Sequence, residues 1–440
     1  MNIIWKGLIL LVLAAFAGEL IEFLINMTLA RQLGEAGIGV YMSILPTIFF
    51  IVIIASLELP VSVSKYVAEH PASTHKSMLT YAFRLACIVS IVLIIGLSIL
   101  FVGFPHFLFD EPALKWMLLA MVPIVAFTSV ARGYLLGIQQ MQTIAFSNLL
   151  RKAVQLALLI FVYQLFSFPS HLALWLAFGA FLGSELFVAV YLLLSFLKTR
   201  FVHKSILTEE VPRSQIRSEL LAISVPTTGL RLFHAFTHAV QPFLITYILM
   251  NSGLSKLAAT EQFGLLAGVA LTIGFFPAFI AHSLLTVLIP NVAEAHAKGE
   301  QKKLVKLFWQ VMGLTLLYGV PAIFLFTWLA EPLTKLFFHS SEAAYDIKLL
   351  WPYFLFHFFL IPLQGFLIGF GYVRDAFMHT FISTAVAFAS MYLFGQMLPY
   401  AIDGIIVGMN TGAVLHMLLH LVTVIEKLGI TQRFTRSIPN

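Results

Sequence analysis

Charge is scarce in this sequence. Of its 440 residues only 10% are Asp, Glu, Lys or Arg, while 60% are hydrophobic and the mean hydropathy is +0.95. A soluble domain carries about 25% charged residues, so a water-soluble enzyme or binding module is excluded. Cysteine is nearly absent too: Cys87 stands alone, and no internal disulfide can form. No glycine-rich phosphate loop, no P-loop lysine and no H-E-x-x-H occurs. Without an ATP site, any driving force is an ion gradient, the membrane potential or the substrate's own gradient. The chain also lacks long polar stretches, and its longest interruption is "KTRFVHKSILTEEVPRSQIRSEL", 198–220.

What is present is a series of apolar runs of membrane-spanning length. They predict about twelve transmembrane helices over 6–30, 41–64, 79–102, 116–138, 143–165, 172–197, 220–250, 263–290, 305–329, 349–370, 376–398 and 404–426. The first is too long for a signal peptide and carries acids in place of a cleavage site, so it is expected to stay. Lys198, Arg200, Lys204, Arg213, Arg217, Lys298, Lys302, Lys303 and Lys306 gather on one side of the membrane. The opposite loops hold Arg31, Lys115, Lys256, Lys335 and Lys348. The positive-inside rule then puts both termini in the cytoplasm of a multi-pass cell-membrane protein. The net charge of +6 arises from this asymmetry. Anionic headgroups account for it, and no nucleic-acid partner is needed.

The two halves of the chain are alike. "GVYMSILPTIFF" from Gly39 matches "GLLAGVALTIGFF" from Gly264, and "VAEH" at 67–70 matches "VAEA" at 292–295, both 225 residues apart. "RGYLLG" at 132–137 matches "QGFLIG" at 364–369. The expected organisation is an N-terminal six-helix lobe (1–197), a cytoplasmic linker (198–219), a C-terminal six-helix lobe (220–426) and a cytoplasmic tail (427–440). Repeats of even helix number share one orientation and place a substrate cavity between them.

Several longer stretches carry a resemblance to a known family. "ARQLGEAGIGVYMSILP", "LELPVSVSKYVAEH", "ARGYLLGIQQMQTIAFSNLLRKAVQ" and "FFPAFIAHSLLTVLIPNVAEAHAKGE" resemble the stage V sporulation protein B family. That family is similar to the polysaccharide exporters and lipid II flippases of the multidrug/oligosaccharidyl-lipid/polysaccharide (MOP) superfamily. The resemblance implies an all-α, MATE-like membrane protein with two six-helix lobes around a central cavity. It implies a lipid-linked saccharide or related amphiphile as the substrate, for envelope or spore-wall synthesis. Lipid II flippases place basic residues along helix one, whereas here no arginine precedes Arg31. Alternatives are a cation-coupled multidrug-type antiporter, a membrane glycosyl- or acyltransferase, and a scaffold that transports nothing. The loops are too short and too poor in acid–His constellations to favour the transferase.

Polar residues inside membrane spans usually face a bundle interior or a wet cavity. In "GELIEFLIN" (18–26), Glu19, Glu22 and Asn26 form one helical stripe. Glu19 lies about 20 Å along helix one, near the midplane. The acid pair is the candidate for a coupling proton or sodium ion, and no other cofactor is expected. "RLFHAFTHAVQ" sets Arg231, His234, His238 and Gln241 on one stripe of helix seven. Arg231 suits a phosphate or carboxylate, and the two stripes are expected to face each other with Arg231 meeting Glu19 or Glu22. His357 and Gln364 share a face of helix ten and complete the cavity set. Glu58, which shares a face with Ser62 and Lys65, is a weaker candidate. So are Arg132 and Arg151, which can meet headgroup phosphate, and Glu185 in helix six. The pairs His234/His238 and His416/His420 have ligand-like spacing but no carboxylate or thiol beside them, so no metal is expected. Pro226 and Pro242 are expected to break helix seven.

Overall fold

The computed structural model describes residues 3–104, 112–165, 170–202, 211–338 and 341–429. Within them the chain is helical, with no strand. The first half holds α1 (Ile3–Ser56), α2 (Leu59–Glu69), α3 (His75–Gly103), α4 (Pro112–Gly137), α5 (Met141–Leu165) and α6 (Ser170–Val202). The second half begins with α7 (Arg213–Asn251) and α8 (Lys256–Gly264), then a π-helical segment (Leu265–Ala270), α9 (Leu271–Phe275) and α10 (Ala278–Ala297). It continues with α11 (Gln301–Trp328), α12 (Ala330–Phe338), α13 (Ala343–Leu349), α14 (Trp351–Gly369), α15 (Val373–Met397) and α16 (Ala401–Lys427). In hydrocarbon every backbone N–H and C=O must be satisfied inside the segment, and the helix does this whichever way its side chains point.

Twelve helical segments among the described residues are long and apolar enough to cross a membrane. Their division differs from the expected one in two places. The run Ala15–Glu69 takes in the second expected crossing and the first from residue 15 on. Gly34, in the left-handed region at φ 69°, lies between them. The expected eighth crossing is instead two segments, Lys256–Phe275 and Ala278–Ala297, meeting at Phe276 and Pro277. Pro277 has no N–H to give, so the helical ladder parts there. Helix α7 runs unbroken from Arg213 to Asn251, through both prolines expected to interrupt it.

The molecule forms two compact units: Met1–Val40 with Gln241–Asn440, and Tyr41–Val240. In the first of these units the first crossing packs with helices of the second half. Phe16 and Phe23 meet Phe276, at ring-centroid distances of 6.0 and 5.4 Å. The Arg31 guanidinium donates to the carbonyl of Leu336 from Nε at 2.8 Å. Such edge-to-face aromatic pairs contribute about 0.5–1.5 kcal/mol each beyond the area they bury.

Each unit contains the same helix crossing, built from the matched segments. In the Tyr41–Val240 unit, Gly137 of α4 lies against Val67 of α2, and a Cβ there would sit 2.5 Å from Val67 Cβ. In the other unit, Gly369 of α14 lies against Val292 of α10, with a corresponding 2.7 Å. Small residues at helix interfaces let backbones approach where lipid supplies no hydrophobic drive for association. The part of α1 beyond Gly34 also meets α8. Gly39 rests on the backbone of Thr260, and Gly264 on the backbone around Glu35 and Gly39.

Candidate functional site

The break between α1 and α2 creates the most distinctive polar geometry in the Tyr41–Val240 unit. Leu57 and Glu58 both adopt left-handed backbone, at φ 45° and 46°. For non-glycine residues this costs about 1–3 kcal/mol each and persists only where the surroundings enforce it. Leu59 and Pro60 open α2, and Glu58 takes its N-cap position, where the positive helix end favours a carboxylate. Glu58 is buried, at 3% exposure, and accepts a 2.6 Å hydrogen bond from Arg231 Nη1. The Arg231 side chain is 60% exposed, so this guanidinium offers its remaining donors to whatever enters beside it.

Two more contacts bind α7 to α2. Ser224 Oγ donates to Ser62 Oγ at 2.7 Å with both serines buried. His70 Nε2 lies 3.3 Å from Glu219 Oε2. Ser224 and Arg231 are two turns apart on one face of α7, and Glu58 and Ser62 one turn apart on α2. The face of Glu58 and Ser62 is thus turned to α7, while Lys65 forms an exposed pair with Glu69.

Within its own unit the acid stripe has neighbours on α9 and α10. Asn26 Nδ2 reaches Thr272 Oγ1 of α9 at 3.5 Å, and the charge of Glu19 acts on His282 of α10. Glu19 and Glu22 are half-buried. Within the Tyr41–Val240 unit the carboxylate joined to Arg231 is Glu58, the candidate that the sequence ranked below Glu19 and Glu22. The left-handed pair at 57–58 aims Glu58 at α7, and in the other unit the first crossing packs its aromatic and polar face on α9 and α10. His282 was missed in the sequence, where it stands alone in "FIAHSLL" with no partner in helical register.

Along α7, His234 is half-buried, His238 exposed and Gln241 half-buried. His357 sits edge-on to Phe275 at 4.8 Å and beside Tyr353 at 6.3 Å, within an aromatic cluster of α9 and α14. Gln364 is half-buried on α14. His416 and His420 belong to a third cluster. Their rings are 4.6 Å apart, His379 of α15 lies 5.1 Å from His420, and Thr380 Oγ1 meets His416 Nε2 at 3.2 Å.

Arg132 and Arg151 come together in the Tyr41–Val240 unit with a residue from a third helix. Arg132 Nη1 donates to Asn148 Oδ1 at 3.0 Å, and Arg151 Nε lies 3.7 Å from Glu185 Oε1. Glu185, alone in its own helix, therefore has an arginine partner across α5 and α6.

An all-helical chain with twelve segments able to cross a membrane among its described residues is a polytopic membrane protein, and similarity specifies its family. The model of the polysaccharide biosynthesis protein family matches residues 4–259, and that of the MatE family matches 233–393. Sporulation protein YkvU of Bacillus subtilis (strain 168) is 46% identical over 431 residues, 98% of this chain and 97% of that protein. Stage V sporulation protein B of the same organism is 32% identical, over 97% of this chain and 84% of that one. The inward-facing structure of a multidrug resistance MATE family transporter of the MOP superfamily covers 94% of this chain and 96% of its own. Its TM-score is 0.73 at 15% identity, which establishes the fold. The chain belongs to the polysaccharide biosynthesis protein family and is a relative of stage V sporulation protein B, and it has the MATE fold.

Proposed function

We propose that this protein moves a lipid-linked saccharide or related amphiphile across the cell membrane by alternating access, for envelope or spore-wall synthesis. The observation that carries the reading is the Arg231–Glu58 bond, a largely exposed guanidinium held by an almost wholly buried carboxylate. The names of the two Bacillus relatives point to sporulation, and the matching family model to polysaccharide synthesis.

An anionic, phosphate-bearing headgroup competes with Glu58 for Arg231, because a guanidinium binds phosphate through two parallel hydrogen bonds. Once released, Glu58 is an unpaired buried carboxylate, which is costly until it takes a proton or a cation. Substrate and ion are then linked through one shared arginine, and the linkage is reciprocal. Glu19 and Glu22, with His282 near Glu19, form a second place at which a proton or sodium ion exchanges. No step makes or breaks a covalent bond, so no residue is assigned a catalytic role.

The test is transport, or complementation of the envelope phenotype, at matched membrane abundance. Removing one member of a buried pair costs about 3–5 kcal/mol. Arg231→Ala is therefore expected to abolish activity and lower abundance. Glu58→Gln keeps a hydrogen-bond acceptor and the fold, and is expected to remove pH or sodium dependence. Full ion-dependent activity in both variants would overturn the reading.

A further inference from the structure

The Arg132, Asn148, Arg151 and Glu185 cluster plays no part in the transport step just described. It lies inside membrane-crossing helices: Arg132 on α4, Asn148 and Arg151 on α5, Glu185 on α6. The turn joining α4 to α5 spans 138–140. At 1.5 Å per residue, Arg132 sits about 8 Å and Arg151 about 15 Å from that turn. The charges acting on Arg132 are those of Glu185 and Arg151. Its own hydrogen-bond partner is the neutral amide of Asn148. The Arg151–Glu185 contact is long, at 3.7 Å, with both side chains about a quarter to a fifth exposed.

Charge balance decides what such a cluster wants. Two guanidinium groups, neither of which deprotonates in a protein, face one carboxylate, so a full positive charge remains. An uncompensated charge is costly at membrane depth. An anion with several acceptor oxygens would satisfy the free donors of both arginines at once. The nearest abundant source is the headgroup layer at the α4–α5 turn, and long arginine side chains reach toward that layer.

We propose that Arg132 and Arg151 form a binding site for the phosphate group of an anionic membrane lipid, with Glu185 as the competing internal acceptor. Lipid phosphate takes the place that Glu185 holds on Arg151 and neutralises Arg132, tying the α4–α5 turn to the headgroup layer. The site is independent of Arg231 and Glu58 and does not rest on the transport reading.

The sign of the Glu185 effect separates a binding site from a structural cluster. Purified full-length protein in detergent is titrated with phosphatidylglycerol, with diacylglycerol of the same chains, and with inorganic phosphate, and lipid retention is read by native mass spectrometry alongside melting temperature. Phosphatidylglycerol is expected to be retained and to raise the melting temperature, while diacylglycerol does neither. Arg132→Gln strands no carboxylate and is expected to weaken retention by about tenfold or more, the scale of one charge-assisted contact. Glu185→Gln removes the competitor and is expected to tighten retention several-fold. Charge-neutral Arg151→Gln with Glu185→Gln guards against misfolding and is expected to weaken it. Protection by inorganic phosphate alone would place the recognition in the phosphate rather than the lipid and still support the site. Equal retention of diacylglycerol, unchanged retention in Arg132→Gln, or weaker retention in Glu185→Gln would overturn it.

Discussion

Asp346 is a carboxylate that water barely reaches and that no lysine or arginine among the described residues neutralises. It lies on α13, outside the membrane-crossing segments, at 7% exposure. Burial, together with the neighbouring Asp403 carboxylate, pushes its pKa up to about 7. Asp403 is itself engaged by the Tyr345 hydroxyl at 3.2 Å. Because the folded pKa lies above the ordinary 3.8, the folded state favours the protonated form. That contribution is complete below about pH 4 and is lost as pH rises through 7. Asp346→Asn is therefore expected to stabilise the protein at pH 8 by up to about 4 kcal/mol, since a pKa difference of one is worth roughly 1.36 kcal/mol. Little change is expected at pH 4, and melting curves at the two values provide the check. At this scale the sequence was legible in part. Spacing found the Arg231 stripe and the Glu58–Ser62 face. It missed the bond between them, because two consecutive left-handed residues at Leu57 and Glu58 leave no mark on periodicity beyond Pro60.

Elements were more readable than contacts. A membrane helix declares itself by a long apolar run, whose backbone has no other way to satisfy its hydrogen bonds. The short helices α12 and α13 were not foreseen, since nine- and seven-residue segments give no period to detect. The unbroken α7 is instructive as well: a proline in a membrane helix need not part it when neighbouring groups absorb the lost bond. Packing between elements turns on the two glycine crossings, which were visible only as matching motifs. Gly137→Leu and Gly369→Leu are each expected to destabilise the protein by about 1–3 kcal/mol or more through overpacking against Val67 and Val292. Gly96→Leu, at a glycine with open space beside it, is the control. Thermal unfolding in detergent measures all three.

For the whole molecule, the positive-inside pattern yields an expected orientation. With Cys87 replaced, Lys256→Cys should react with an impermeant maleimide added outside intact cells, and Lys204→Cys only after permeabilisation. The reverse pattern would invert the topology. The partners of the first crossing were the least legible feature. Sequence order placed the first crossing with its neighbours in the chain, whereas its Phe16, Phe23, Asn26 and Arg31 side chains find partners in helices more than 200 residues away. Such non-local pairings are decided by side-chain complementarity, which composition and periodicity do not encode.

The meeting of α1 with α8 is reciprocal. Glu35 and Thr260 are 225 residues apart, as are Gly39 and Gly264. Gly39 rests on Thr260 while Gly264 rests on Glu35, so each contact is the other with the halves exchanged. That is the signature of a self-complementary patch lying on a two-fold axis. A substitution at Gly39 and its counterpart at Gly264 therefore press on the same crossing from its two sides.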